Sequence, residues 1–544
     1  MDKKTTDWWR SGTIYQIYPR SFSDSGARGW GDLNGIRERL PYLASLGVDA
    51  LWISPFFLSP MKDFGYDVED HRRVDPMFGT NEDLDALIRE ARDLDLKIMV
   101  DLVLSHVADT HPWFQDTIRN PDSEYSDCFV WAEPSADGCP PNNWLSVFGG
   151  SAWSWNSRRR QYYLHNFLTE QPDLNFHNPR VRAEALSIAR YWLERGVTGF
   201  RLDTVNFYCH DLELRNNPPS NDRGLALAPE SNPYSYQNHL YDKNRPEVLS
   251  FLSELGALTR EFPGSVTLGE VGAVQERSWS LIREYTSEER LNLCYNFDLL
   301  GDTFSAKNLR GIIKRSVREA PDAWPCWAFS NHDVARTASR LAPEGVSTEK
   351  IARLTMSILL SLRGTPCIYQ GEELGLEEVD VPYDLLQDPY GIEFWPDYVG
   401  RDGCRTPMPW EPSEPNCGFT NSPEAWLPIP DGHQELAVSV QEASSQSTLH
   451  FFRRVLALRQ QEPCLQLGTM TLIDEQDDVF AISRAFEGVT IQCHYNLSFE
   501  PIVLENPGLE GSGIFDGSTA TWRDASMPIV LDPWQWAWLK MPPE

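Results

Sequence analysis

From residue 14 onward, short apolar runs alternate with longer stretches in which apolar positions recur at helical spacing. A short apolar run bounded by turn formers reads as a strand covered on both faces, and a 3.6-residue apolar stripe reads as a helix lying on it. The predicted strands are 14–18, 50–54, 97–103, 199–203, 266–270, 293–299, 327–330 and 365–370, with helical runs at 33–46, 82–94, 181–195, 247–261 and 348–362 between them. Eight β-α units in this order predict an α/β protein built on a (β/α)8 TIM barrel.

Two interruptions and a change of rhythm refine this picture. Residues 104–172, rich in Trp, Pro, Asn and Gly, separate the third strand from its helix, a length that marks a small domain or a functional lid. Residues 375–431 form a second irregular stretch after the eighth strand. From 469 the pattern shifts to short alternating runs, as around Val479 and Val489, which predicts an antiparallel β domain. The expected organisation is a discontinuous barrel (1–103 with 173–468), an inserted domain (104–172) and a C-terminal β domain (469–544).

Composition narrows the partners. The 544 residues carry a formal net charge of −31, with 79 acidic against 48 basic side chains. Such a surface repels phosphate backbones and anionic lipid, so neither nucleic acid nor a membrane is an expected partner. The first residues contain no apolar signal core, and no run approaches the ~18 apolar residues of a membrane span. The ten cysteines are scattered without a Cys-x-x-Cys pair, which fits a reducing, cytoplasmic setting. Twenty tryptophans and nineteen tyrosines supply flat faces that suit pyranose rings, although most aromatics serve the core.

Three carboxylates carry the chemistry. Gly199-Phe200-Arg201-Leu202-Asp203 ends an apolar strand in an acid, and Arg201 projects to the same side because strand side chains alternate. The guanidinium is expected to keep Asp203 ionised. Glu270 follows the apolar Val266-Thr267-Leu268-Gly269, where desolvation would raise its pKa, and Asp333 follows Trp327-Ala328-Phe329-Ser330-Asn331-His332. One acid at a strand end is an ordinary turn or helix cap; three of them are what glycosidic chemistry needs.

These residues resemble the α-amylase family of glycoside hydrolases, in particular its exo-acting α-glucosidase and oligo-1,6-glucosidase branch, and the resemblance runs nearly end to end. Its motifs are Asp101 to His106, Gly199 to Asp203, Gly269-Glu270-Val271, Phe329 to Asp333, Gln171-Pro172-Asp173-Leu174-Asn175, Tyr369 to Glu373 and Gly400 to Trp410. The resemblance implies Asp203 as nucleophile, Glu270 as general acid/base and Asp333 as transition-state stabiliser, in a retaining mechanism with the first two carboxyls about 5–5.5 Å apart. It makes His106 and His332 donors to the hydroxyls of the −1 sugar, and Tyr66, Phe148 and Phe167 aromatic walls of its pocket. Asp67 and Arg401 resemble the pair that grips the terminal 4-hydroxyl and closes the pocket. Thr204, directly after the nucleophile, goes in this branch with α-1,4-linked substrates.

The chain departs from the family in its first βα loop, where acidic residues commonly hold a structural cation. Here the loop reads Asp24-Ser25-Gly26-Ala27-Arg28-Gly29-Trp30-Gly31-Asp32. Ca²⁺ or Mg²⁺ near Asp24 and Asp32 would need several oxygen ligands, and Arg28 is expected to replace the ion by pairing with one of these acids. Ser105 stands where many relatives carry asparagine. No cofactor is required by this chemistry. The expected substrates are maltose and short oligosaccharides, with hydroxyl acceptors intercepting a glucosyl-enzyme. A sucrose-directed enzyme or disaccharide mutase shares the same −1 residues and would differ in 208–241 and 373–398. A non-catalytic, partner-binding barrel is the alternative from another class; the relatives of that kind have lost catalytic acids that this chain keeps.

Overall fold

The computed structural model describes residues 6–220, 228–272, 275–474, 478–504, 512–526 and 528–542; residues 221–227, within the predicted 208–241 specificity segment, lie outside them. Eight parallel strands form the centre: β1 (Ile14–Ile17), β2 (Ala50–Ile53), β3 (Lys97–Leu102), β4 (Gly199–Leu202), β5 (Val266–Val271), β6 (Leu293–Asn296), β7 (Cys326–Trp327) and β8 (Thr365–Tyr369). Their order is β6-β5-β4-β3-β2-β1-β8-β7, and a parallel bridge from Cys294 to Pro325 joins the two ends. The sheet therefore closes on itself as a TIM barrel, and the C-terminal ends of all eight strands open on one face, where such barrels place their chemistry.

The surrounding helices follow from the sequence pattern. The helix Asn81–Asp93 opens with a capping box between Thr80 and Asp83 and buries Leu84, Leu87, Ile88 and Ala91. That spacing is one stripe of a 3.6-residue helix, and the cap is worth ~1 kcal/mol. The single helix expected over 33–46 is instead two, Leu33–Glu38 and Leu40–Leu46. Pro41 is the reason: it has no N–H to continue the first helix, yet is well placed in the first turn of a second one. The seventh strand, Cys326–Trp327, ends short of the expected 330; beyond it Asn331 Oδ1 accepts the Asp333 N–H at 2.9 Å in a turn that presents Asp333.

Residues 104–172 contain a helix, Pro112–Arg119, and a three-stranded antiparallel sheet of Trp131–Ala132, Gln161–Leu164 and Trp153–Asn156. A separate small core of Val130, Ala132, Trp144, Ala152, Trp153 and Leu164 supports it. The chain after 468 forms a six-stranded antiparallel sheet and a two-stranded one. Of two fully buried arginines at this boundary, Arg484 ties the C-terminal sheet to the end of the barrel segment and Arg459 ties together barrel segments beneath it. Arg459 donates to the carbonyls of Leu360, Gly364 and Leu465, and Arg484 donates to those of Leu465 and Gly468. Burial without a carboxylate partner lowers Arg459 to about 9 and Arg484 to about 10.

Candidate active site

Register across the barrel assembles the site. Asp101 on β3 lies opposite Arg201 on β4, and Glu270 on β5 lies opposite Tyr295 on β6. Arg201, 1% exposed, is the hub. Its Nη1 donates to Asp101 Oδ1 at 2.9 Å and to Asp203 Oδ1 at 2.6 Å, and its Nη2 lies 2.7 Å from Glu270 Oε2. Tyr295 Oη donates to Glu270 Oε1 at 3.1 Å. Gly269 lets neighbours pack close beside Glu270: a Cβ there would come within 2.7 Å of Leu291 Cδ1 and 3.1 Å of Cys294 Sγ, so these side chains would have to shift.

Thr204 bridges the two acids. Its N–H donates to Glu270 Oε2 at 2.9 Å and its hydroxyl lies 3.1 Å from Asp203 Oδ2. To do this it adopts φ 41°, ψ 45°, a left-handed conformation that costs a β-branched residue ~1–3 kcal/mol. Strain of this kind is held where the surroundings over-determine it, and here it aims one residue at both carboxylates.

Burial dominates the electrostatics of this pair. It pushes Glu270 up to about 7, with Arg201 opposing and the Asp203 and Asp333 charges adding to the rise. Burial also pushes Asp203 up to about 7 against the pull of Arg201, with Asp101 contributing. The expectation that the Arg201 guanidinium keeps Asp203 ionised is therefore corrected: one guanidinium is shared among Asp101, Asp203 and Glu270. Burial raises Asp101 to about 6 as well, so all three carboxyls around this guanidinium titrate close to neutrality.

Asp333 is different. Burial would raise it, but His332 and then Arg401 and Arg405 outweigh burial and hold it well below the usual carboxylate range. Burial lowers His332 itself to about 3, so near neutral pH the two arginines carry the effect. Arg401 Nη1 and Arg405 Nη2 both reach Asp333 Oδ1, at 3.2 and 3.1 Å.

The remaining predicted residues ring these acids, with one correction. Tyr66 stacks on His332 with ring centres 5.3 Å apart and planes 1° from parallel, and its hydroxyl lies 2.7 Å from His332 Nε2. His106 donates from Nε2 to the Tyr66 carbonyl at 2.9 Å and faces Phe167 at 5.1 Å. Phe167 in turn meets Phe148 at 6.1 Å, and Arg401 lies over Phe148 at 5.2 Å. Asp67, however, does not pair with Arg401. It is fully buried and accepts from Ser59 Oγ and the N–H groups of Lys62 and Asp63, which makes it a brace for its own turn. The partner of Arg401 is Asp63, at 3.0 Å, together with Asp388 at 2.7 Å. Phe64-Gly65-Tyr66 is flanked by an acid on each side, so the motif alone did not say which one faces the pocket.

Sequence reasoning also passed over Asp101, Tyr295, Asp388 and Arg405. Asp101 and Arg405 were within reach, since they sit inside the quoted motifs; Tyr295 and Asp388 become visible only through register and loop packing. In the first βα loop, Asp24 accepts from the N–H groups of Gly26, Arg28 and Gly29 and from Thr420 Oγ1. Asp32 accepts from Ser25, the Gly35 N–H and the Arg28 guanidinium. Both carboxylates thus already have N–H and O–H donors.

A closed parallel barrel that gathers three acids and a shared guanidinium at its strand C-termini, beside stacked aromatic rings, defines a barrel glycoside hydrolase. Residues 16–468 match the model of the α-amylase catalytic domain. The chain is 52% identical over 516 residues to a "Probable alpha-glucosidase" of Rhizobium meliloti (strain 1021), covering 93% of each. It is 34% identical to an oligo-1,6-glucosidase of Heyndrickxia coagulans, covering 92% of this chain and 94% of that one. Among solved structures, the alpha-glucosyl transfer enzyme XgtA superposes with a TM-score of 0.93 at 45% identity, covering 98% and 99% of the two chains. The trehalulose synthase MutB from Pseudomonas mesoacidophila MX-45 gives 0.88 at 30% identity, with coverages of 98% and 99%. The chain belongs to the α-amylase family of glycoside hydrolases. Among the described residues, no helix is long and apolar enough to cross a membrane.

Proposed function

We propose that this protein is a retaining, exo-acting α-glucosidase that releases terminal glucose from α-1,4-linked maltose and short oligosaccharides and transfers glucose to hydroxyl acceptors. The observation that carries the reading is the sharing of Arg201 between Asp203 and Glu270, with Thr204 touching both. One proton held between two buried carboxyls is the resting state a double displacement needs. Asp203 Oδ attacks C1, the glycosidic C1–O bond breaks, and Glu270 gives its proton to the departing oxygen. Glu270, now ionised, takes a proton from water or an acceptor hydroxyl, whose oxygen attacks C1 and frees Asp203. Asp333, held charged by Arg401 and Arg405, faces the oxocarbenium charge, and His106 and His332 serve the sugar hydroxyls.

The Asp63–Arg401 pair grips the terminal 4-hydroxyl, and this closed end makes the enzyme exo-acting. Arg28, paired with Asp32, stands in place of the loop cation, and no cofactor takes part. A cytoplasmic setting suits the ten free thiols. The likeness to a trehalulose synthase supports a second reading, in which sucrose is the donor and the sugar is isomerised rather than released.

The test is proton NMR of the purified protein with maltose, following which glucose anomer appears first. Early α-glucose from the non-reducing residue is the expected result. Early β-glucose would overturn the double displacement, and turnover of sucrose but not maltose would favour the second reading.

A further inference from the structure

Beyond the acids themselves, the hydrogen bonds around Ser105 define a proton position that the fold leaves open. His106 donates from Nε2 to the Tyr66 carbonyl, which can only accept. Burial lowers His106 to about 4, so near neutral pH it has that one ring proton, and its Nδ1 is bare. Ser105 Oγ lies 2.9 Å from Nδ1 and must donate to it. The Ser105 oxygen is then an acceptor, 3.0 Å from Thr204 Oγ1. Thr204 has one hydroxyl proton and two acceptors at matching distances, Ser105 Oγ at 3.0 Å and Asp203 Oδ2 at 3.1 Å. The strained backbone of Thr204 fixes the hydroxyl between them.

The two oxygens of Asp203 are also unequal. Oδ1 is held by Arg201 at 2.6 Å, whereas Oδ2 has only the longer Thr204 bond. Oδ2 is thus the oxygen free to attack, and as its lone pair becomes the C1–O bond it gives up the Thr204 proton. We propose that Ser105 is a positioning residue for this step, taking over the Thr204 hydroxyl bond as Asp203 Oδ2 bonds to C1. No proton changes owner: the Thr204 O–H rotates from one acceptor to the other, and rotates back when the glucosyl-enzyme is hydrolysed. This deepens the proposed function and rests on Asp203 being the nucleophile.

A double-mutant cycle with an aryl α-glucoside tests it, since the cycle isolates the coupling between the two side chains. Ser105→Ala should lower kcat/KM about tenfold, the loss of one neutral hydrogen bond in the transition state. In a Thr204→Ser background, which keeps the hydroxyl, the same tenfold cost should persist. In a Thr204→Val background, where there is no proton to receive, Ser105→Ala should cost less than twofold. Equal costs in the Ser and Val backgrounds would overturn the proposal and leave Ser105 acting through His106 alone. Where Ser105→Ala fails to fold, Ser105→Cys, whose thiol is a weak acceptor, takes its place in the cycle with the same expected pattern. Inversion by the wild type, or an active Asp203→Asn, would defeat the functional reading itself; retention with an additive cycle would defeat only this one.

Discussion

Glu270→Gln separates the catalytic worth of this carboxyl from its cost to the fold. Burial raises Glu270 from an ordinary 4.5 to about 7. At about 1.4 kcal/mol per pH unit this corresponds to ~3 kcal/mol at pH 8. The sign follows from proton counting: between 4.5 and 7 the folded state keeps a proton that the unfolded state has released. Stability therefore falls as pH rises through that window, and the cost is complete above 7. A glutamine is neutral throughout, its oxygen can accept from the Thr204 N–H and Arg201, and its amide can donate to Tyr295. Arg201 keeps Asp101 and Asp203 as partners, so most of the cost is removed. We expect the variant to lose ~10²–10⁴ in kcat while gaining ~1–3 kcal/mol of stability at pH 8 and little at pH 4.5. Urea unfolding of both proteins at the two pH values measures this. A gain of equal size at both, or destabilisation at pH 8, would refute the placement of a costly buried charge at Glu270.

Asp63→Ala should lower kcat/KM for maltose by about 10²-fold through loss of a charge-assisted contact, whereas Asp67→Ala should act mainly on melting temperature; similar kinetics for the two would undo the assignment of Asp63 to the pocket. Thr204→Val should raise the ratio of isomaltose to maltose turnover, and an unchanged ratio would remove the argument for an α-1,4 preference. Melting of the wild type should be indifferent to Ca²⁺ and to EDTA, while Arg28→Ala should lower stability by ~1–2 kcal/mol; a wild type that melts lower in EDTA would show that Arg28 does not replace a cation.

The barrel was legible because each of its strands is an apolar run covered on both faces, a pattern set by local sequence alone. The acids of the candidate site were legible for a related reason: Asp203 directly follows the apolar strand Gly199–Leu202, and Glu270 is the one charged residue of the apolar strand Val266–Val271. The sharing of Arg201 was not legible, because it depends on β3 and β5 lying on either side of β4 in a register that puts Asp101 and Glu270 within reach. Nor could local sequence choose between Asp63 and Asp67. The choice is made by Arg401, 338 residues further along the chain than Asp63, so only the folded loop decides which acid faces it.

The two arginine networks give the three acids opposite states. Arg201 has three carboxylates and cannot neutralise them all, so burial wins and raises Asp101, Asp203 and Glu270 towards neutrality. Asp333 meets two arginines on one oxygen and stays charged, Arg405 at 3.1 Å and Arg401, which it shares with Asp63 and Asp388, at 3.2 Å. The ratio of cations to carboxylates, rather than proximity of any one cation, thus separates proton-carrying acids from a permanently charged one. On this argument, replacing Asp101 by asparagine would leave Arg201 to two acids and lower the pKa values of both. The alkaline limb of the kcat/KM profile, which reports protonated Glu270 in the free enzyme, should then move to lower pH. A limb that stayed in place would mean that Arg201 is not the shared resource that sets these states.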